Sequence, residues 1–302
     1  MKHPSAPGPA PSPVGVIGLG LLGSELAQSL IRGERRVVGF DVNAERQSAF
    51  GRHGGEVSSS PEDVLLRCDR VILSLPTHTE VAAVVAAGRQ VLRNGQIIVD
   101  TTTGDPEPTE ALGAELAARG VIYLDATISG SSAQVRNGSA VAMVGGDAAG
   151  FDACQDLFGL IAHQSFHTGR SGTGAKMKLV TNLVLGLNRA ALAEGLALAT
   201  GLGLDAAQAL AIMRAGPAYA RIMDGKGEKM LNGDFTPEAR LSQHLKDVRL
   251  IVELGEQAGL PMTLSAAHRA ILEEAEAAGL GALDNSALIQ VLRGLTAKSN
   301  RP

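Results

Sequence analysis

The chain has no tryptophan, two tyrosines and six phenylalanines in 302 residues. Its cores must therefore be built from aliphatic side chains and close helix contacts. Only two cysteines are present, Cys68 and Cys154, far apart in sequence. Two cysteines exclude a disulfide framework, and neither has metal-ligand spacing around it, so no metal is expected. Reduced thiols of a cytoplasmic protein are the simpler reading. An excess of positive charge is also missing. The net charge of −4 argues against a dedicated nucleic-acid binder, which carries a basic face, yet it leaves room for an anionic small molecule at a local basic site. No apolar run reads as long enough to span a bilayer, so no membrane partner is expected. Residues 1–13 are rich in proline and alanine and lack the apolar stretch of a signal peptide; they read as a disordered tail.

What is present is apolar material in quantity: 45% hydrophobic against 19% charged residues. That suffices for substantial cores, and the length suits two domains. The first half alternates short β-rich runs with helix-length segments. The expected strands are Val14–Ile17, Val37–Phe40, Val71–Leu75, Ile97–Val99, Val121–Leu124 and Ala140–Val144. Such alternation predicts crossover units, and near-continuous apolar strands predict a parallel sheet covered on both faces. The character changes near Gly172. Beyond it no strand is evident; a long helix over Lys176–Leu202 precedes helices over Asp205–Arg214, Arg240–Ala258, Met262–Ala278 and Asn285–Leu292. The expected architecture is α/β: a Rossmann-type doubly wound domain over 14–174, then an all-α domain for substrate and oligomerisation over 175–302, joined by the long helix.

Gly18-Leu19-Gly20-Leu21-Leu22-Gly23 follows the first strand and opens the first helix. In that context the three glycines form a pyrophosphate-binding turn. Gly18 allows the turn, Gly20 lets backbone approach the pyrophosphate, and Gly23 lets helix pack on strand. Asp41 ends the second strand, where a carboxylate accepts ribose hydroxyls and repels a 2′-phosphate; NAD is therefore favoured over NADP, with Arg46 nearby softening the preference. Asp41 as a simple helix cap is the alternative. Leu75-Pro76 and Thr101-Thr102-Thr103 follow the third and fourth strands, at the sheet end that faces ligands in such folds. The threonines could touch ribose, phosphate or substrate, or could equally cap a helix.

Four stretches together resemble the β-hydroxyacid dehydrogenases, the group containing 3-hydroxyisobutyrate dehydrogenase and tartronate semialdehyde reductase. They are Gly15-Val16-Ile17-Gly18-Leu19-Gly20, Asp125-Ala126-Thr127-Ile128-Ser129-Gly130, Gly172-Thr173-Gly174 leading to Lys178 and Asn182, and His244-Leu245-Lys246-Asp247. The likeness spans about Val14 to Leu292 in order and spacing. It implies Lys178 as the catalytic lysine, a general base in alcohol oxidation and a general acid in reverse. It implies Asn182 holding the substrate hydroxyl, Ser129 and Gly130 holding the substrate carboxylate, and Thr103 and Lys246 near the nicotinamide end of the cofactor. It also implies a homodimer or homotetramer.

Helical spacing agrees, since Lys178 and Asn182 lie at i and i+4 and share a face. A lysine titrating near about 10.4 in water is too basic for work at neutral pH; burial in a crevice between the domains lowers it. Taken singly, Lys178 reads as a solvated helix lysine, Ser129-Gly130 as a turn and Lys246-Asp247 as an exposed charged pair.

The chain also departs from the family pattern. Thr127 stands in place of a proline, Ser131 of a second glycine and Ala133 of a later one, which predicts a stiffer, more polar loop with Ser131 as a further substrate contact. Thr181 stands where asparagine is common. The expected activity is hydride transfer between NAD(P) and the β-carbon of a small hydroxy acid or semialdehyde. The alternatives are an imine reductase or a sulfo- or phospho-aldehyde reductase on the same scaffold, and a non-catalytic cofactor-binding module.

Overall fold

The computed structural model describes residues 12–294. Of the expected tail over 1–13, all but Ser12 and Pro13 lies outside the described residues. Eight strands form one sheet: β1 (Val14–Ile17), β2 (Val37–Phe40), β3 (Glu56–Val57), β4 (Arg70–Leu73), β5 (Ile97–Asp100), β6 (Ile122–Ser129), β7 (Val141–Gly146) and β8 (Gln164–Gly169), in the order β3-β2-β1-β4-β5-β6-β7-β8. The helices of this part are α1 (Leu21–Arg32), α2 (Ala44–Arg52), α3 (Pro61–Arg67), α4 (His78–Ala87), α5 (Pro106–Ala117), α6 (Ser132–Arg136), α7 (Ala148–Asp152) and α8 (Gln155–Ile161). There follow α9 (Thr173–Gly201), α10 (Ala206–Ala215), α11 (Ile222–Asn232), α12 (Leu241–Gln257), α13 (Thr263–Ala277) and the short α14 (Ile289–Leu292). The chain divides into two compact units between Lys178 and Leu179, inside α9.

The sheet is apolar on both faces, as the unbroken apolar strands require. Val16, Ile72 and Val99 pack in one cluster with Leu26, Leu30 and Phe158. Their sequence neighbours Ile17, Leu73 and Ile98 point the other way, into a second cluster with Val38 and Tyr123. Alternation along a strand sends successive side chains to opposite faces, so both faces are cores.

Two strands escape the sequence reading, and both are edges. β3 is two residues long. β8 is polar and largely exposed, with Phe166 half out of the protein. Short or polar edges resist pairing with a second sheet, and the same property removes the apolar signal. The sheet is also not wholly parallel: β6 and β7 run antiparallel. The residues between them, 130–140, are too few for a parallel crossover, which takes about a dozen or more.

The helical unit contains no sheet among its described residues, only an isolated bridge between Arg240 and Asp284. Its core joins Leu192 and Leu196 of α9 to Leu210, Met230, Leu245 and Leu272. α11 was not anticipated because Gly225 and Gly227 interrupt its pattern. Gly227 is there for contact, since a methyl group on it would lie 2.7 Å from Leu210. One expectation is corrected. α9 is long and apolar enough, by length and composition, to cross a membrane. Its apolar residues Leu192, Ala193 and Leu196 are instead spent on the core of the helical unit, and it carries the buried polar residues Asn182 and Arg189.

Candidate active site

The glycine turn is shaped by contacts that admit no side chain. Gly18 has φ +95°, and a methyl group on it would lie 2.2 Å from the Ser74 carbonyl oxygen. On Gly23 a methyl would lie 2.0 Å from the Gly18 carbonyl oxygen, so α1 sits directly on the turn. No side chain caps the N-terminus of α1, whose first turn has no acidic residue. The first N–H groups of a helix have no partner within it; with the positive end of the helix dipole they suit a phosphate group. Gly20, Leu21 and Ser24 line a cleft of about 290 Å³ together with Arg46, Phe50 and His53. The residues present thus fit a dinucleotide's pyrophosphate.

Asp41 is buried beside this turn. Its Oδ2 accepts the Leu19 N–H at 2.7 Å and its Oδ1 the Asn43 N–H at 2.8 Å. Arg46 reaches Oδ2 at 3.4 Å from a half-exposed position. Asp41 does not cap α2; Asn43 does, accepting from Glu45 and Arg46. Each carboxylate oxygen takes two acceptor bonds, so Oδ1 retains capacity for a hydroxyl.

Beyond β4 and β5, Thr102 Oγ1 accepts the Leu75 N–H at 3.2 Å, while Thr101 Oγ1 donates to the Leu73 carbonyl at 2.8 Å. Two of the three threonines therefore tie strand ends together. Leu75 and Thr103 are half-buried and Pro76 is exposed.

Lys178 is buried on α9, 9% exposed. Its Nζ donates to the Ile128 carbonyl oxygen at 2.7 Å, one residue before Ser129 at the end of β6. The first turn of α9 is held to the same strand. Asp125 Oδ1 accepts the Gly172 N–H and Oδ2 the Ala175 N–H, both at 2.9 Å. Burial pushes the Asp125 carboxyl up to about 6, although those two N–H donors oppose it. The lysine is thereby anchored by backbone at its helix and at its amine.

The loop after β6 differs from the expectation in one respect. Thr127 is not part of it: the residue is fully buried within β6, and its Oγ1 donates to the Gly174 carbonyl at 3.0 Å. Gly130 has φ +148°. Ser131 caps α6, its Oγ accepting the Gln134 N–H at 3.3 Å while Gln134 Oε1 accepts the Ser131 N–H at 2.9 Å. This reciprocal capping box gives the Ser131 hydroxyl a structural partner and stiffens the loop.

In the helical unit, Asn182 is buried and its Nδ2 donates to Asp247 Oδ2 at 2.9 Å. The sequence assigns no role of its own to Asp247, which taken singly with Lys246 reads as an exposed pair. Asp247 and His244 are in fact buried, and Lys246 is half-buried. Its signals were the His244-Leu245-Lys246-Asp247 likeness and the spacing of His244 and Asp247 at i and i+3 on one helix face; the pairing across 65 residues has no local mark. Thr181 is half-buried beside Asn182.

Two family profiles match the chain. One, described as the NAD binding domain of 6-phosphogluconate dehydrogenase, covers residues 13–169. The other, described as NAD-binding of NADP-dependent 3-hydroxyisobutyrate dehydrogenase, covers residues 172–292. The L-threonate dehydrogenase of Cupriavidus necator is 30% identical over 93% of this chain and 96% of its own length. The 2-(hydroxymethyl)glutarate dehydrogenase of Eubacterium barkeri is 32% identical over 95% of this chain and 96% of its own. Among solved structures, a 3-hydroxyisobutyrate dehydrogenase of Mycobacterium tuberculosis superposes with a TM-score of 0.84 at 25% identity, covering 93% of this chain and 99% of that one.

Proposed function

We propose a function from one premise: the chain belongs to the 3-hydroxyisobutyrate dehydrogenase family of NAD(P)-dependent oxidoreductases. It catalyses reversible oxidation of a small β-hydroxy acid to the matching semialdehyde or keto acid, with Lys178 as the proton-transferring residue. The observation that carries this reading is the buried Lys178 amine aimed at the Ile128 carbonyl, next to the Ser129-Gly130 loop.

The nicotinamide supplies the hydride acceptor in one direction and the donor in the other. Lys178, as the neutral amine, takes the hydroxyl proton during oxidation and returns it during reduction. Its hydrogen bond to Ile128 fixes the direction of the amine. Asn182 orients the reacting oxygen; because Asp247 takes one Nδ2 hydrogen, the amide is held in a single orientation. Ser129 and Gly130 bind the substrate carboxylate, and Ser131 acts by rigidifying the turn. Leu75, Pro76, Thr103 and Lys246 complete the cofactor surroundings. Asp41 confers a preference for NAD, moderated by Arg46.

The relatives act, by their names, on L-threonate and 2-(hydroxymethyl)glutarate, so polyhydroxy and branched acids of four to six carbons are the substrate class. Exposed Val180, Val184 and Leu198 on α9 and Leu202 just beyond it favour a homodimer or homotetramer. The free buried thiols of Cys68 and Cys154, pushed up to about 11 by burial, suit a reducing cytoplasm. The test is absorbance at 340 nm, crossing NAD and NADP with 3-hydroxyisobutyrate, glycerate, threonate, 2-(hydroxymethyl)glutarate and their semialdehydes. Turnover of at least one hydroxy acid is expected. Turnover of cyclic imines alone would reverse the reading.

A further inference from the structure

Three turns beyond Lys178 on α9, the helical unit buries a guanidinium. Arg189 is 3% exposed, and its Nε and Nη1 have no hydrogen-bond partner. The one carboxylate acting on it, Asp284, is fully occupied. Asp284 Oδ1 accepts from Lys226 Nζ, the Ser286 N–H and the Ser286 hydroxyl; its Oδ2 accepts from Lys226 Nζ and the N–H groups of Glu238 and Ala239. Burial accordingly drags the Arg189 pKa down to about 10. Buried cations in proteins are paired, since desolvation without a counter-charge strongly disfavours the folded state.

A second unmet donor lies beside it. His268 is 3% exposed with Nε2 unpartnered. Burial first, then the neighbouring Arg189 charge, lowers its pKa to about 4, so the ring is neutral at pH 7 and in its Nε2–H form offers one N–H. Its centroid is 5.2 Å from that of His244. Both rings press on Gly186, one turn before Arg189, where a methyl group would lie 2.7 Å from His244 Nε2 and 2.8 Å from His268 Cε1. The rings and the guanidinium thus meet along one stretch of α9. The chemistry is that of an anion receptor: unmet guanidinium N–H donors at Nε and Nη1 and a neutral imidazole N–H for a further contact.

We propose that Arg189 and His268 form a buried anion-binding site in the helical unit, selective for a carboxylate or an inorganic oxyanion of phosphate size. Two sources share this chemistry, a free ion and a second carboxylate on a substrate.

The test is thermal unfolding of the full chain, with the dinucleotide site saturated by NADH. Sodium phosphate and sodium succinate are titrated against sodium chloride at matched ionic strength. The unfolding midpoint rises saturably with phosphate or succinate in the wild type. Arg189→Met abolishes the rise while leaving the anion-free midpoint unchanged or higher, because it removes an unpaired buried charge. Should that variant not fold, His268→Leu raises the half-saturating concentration about tenfold, as loss of one hydrogen bond to a charged partner predicts. A rise of equal size in wild type and variant, or no rise at all, overturns the site. Steady-state kinetics then separates the sources. A KM increase of about tenfold in Arg189→Met for 2-(hydroxymethyl)glutarate but not 3-hydroxyisobutyrate identifies the substrate's second carboxylate. Equal KM values with the saturable rise retained in wild type identify a free ion. The unfolding arm requires no turnover, so it fails or succeeds separately from the hydroxy-acid reading.

Discussion

Asp125 in the sheet unit and Asp284 in the helical unit are both buried, and the two are held in opposite ways. Asp125 in the sheet unit is surrounded by backbone: burial pushes it up to about 6 and two peptide N–H groups only partly offset this. At Asp284 in the helical unit burial also acts upward, but the Lys226 ammonium and the surrounding N–H donors outweigh it and bring the carboxyl down to about 2. Around Asp125 the polar work is therefore done by peptide groups, and around Asp284 chiefly by a side-chain charge drawn from a distant position. Backbone work leaves glycines and strand ends as its trace. Side-chain pairing leaves none that is local.

The largest effect should come from Lys178, which stands at the junction of these two styles. Lys178→Ala should lower turnover by about 100- to 10,000-fold, the range of general acid–base catalysis. NADH affinity, followed by fluorescence titration, should stay within about twofold. Undiminished turnover, with affinity unchanged, would remove the lysine from the mechanism.

Next is the helical unit's charge pair. Lys226 and Asp284 are both buried and 2.9 Å apart, with Glu238 as a second partner. Lys226→Met should lower stability by about 3–5 kcal/mol, since it strands a buried carboxylate. pH sharpens the contrast. Asp284 has a folded value of about 2, below its ordinary one, so its contribution is present above about pH 4 and is lost as pH falls toward 2. Asp125 has the opposite sign: its raised value favours the protonated fold, and its contribution declines as pH rises from about 4 toward 6. Chemical denaturation at a series of pH values reads both. A loss on acidification that persists unchanged in Lys226→Met would break the assignment to this pair.

These two styles explain what was legible in the sequence. The order of β1, α1 and β2 and the turn between them could be read because Gly18, Gly20 and Gly23 stand together in one strand–turn–helix stretch of recognisable spacing. The apolar strands could be read because both of their faces are core. β8 could not, since Gln164 and His167 face solvent at an edge. Lys178 and Asn182 were found by likeness and helical spacing. Asp247 received no role of its own because its partner lies 65 residues away, and a Lys-Asp dipeptide on a helix looks solvated when read singly. Ser131 carried two demands that sequence cannot separate, substrate contact and helix capping; the capping box with Gln134 answers the second.

The sheet unit's dependence on backbone shape has its own test in Gly23→Ala. The added methyl meets the Gly18 carbonyl at 2.0 Å, so α1 must lift from the turn. Overpacking of this kind costs about 1–3 kcal/mol. Cofactor affinity should fall by at least about tenfold as the first helical N–H groups move. A matched Gly225→Ala in α11, where nothing lies within 4 Å of the added methyl, should be neutral or stabilising through helix propensity. Equal losses in both would mean that the turn's geometry is not what binds.

The smallest effect is the most diagnostic, because it concerns the charged side chains beside the sheet unit's glycine turn. Arg46 reaches Asp41 Oδ2 at 3.4 Å from a half-exposed position. Exposed pairs of this kind are worth about 0.2–1 kcal/mol, so stability will barely respond to its loss. Cofactor choice should respond. A 2′-phosphate is repelled by Asp41 and attracted by Arg46, whereas a ribose hydroxyl needs only the carboxylate. Arg46→Ala should therefore raise KM for NADP by about two- to fivefold and leave KM for NAD nearly unchanged. Asp41→Asn should move the ratio the other way, since the amide keeps an acceptor for a hydroxyl but no longer repels phosphate. The Leu19 N–H is held by the same carboxylate, so Asp41→Asn will also loosen the turn and weaken both cofactors somewhat. That common loss cancels in the NADP-to-NAD ratio of kcat/KM, which is the quantity to measure. A ratio untouched by either change would mean that nucleotide preference is set elsewhere, and that even this corner of the sheet unit works through its backbone.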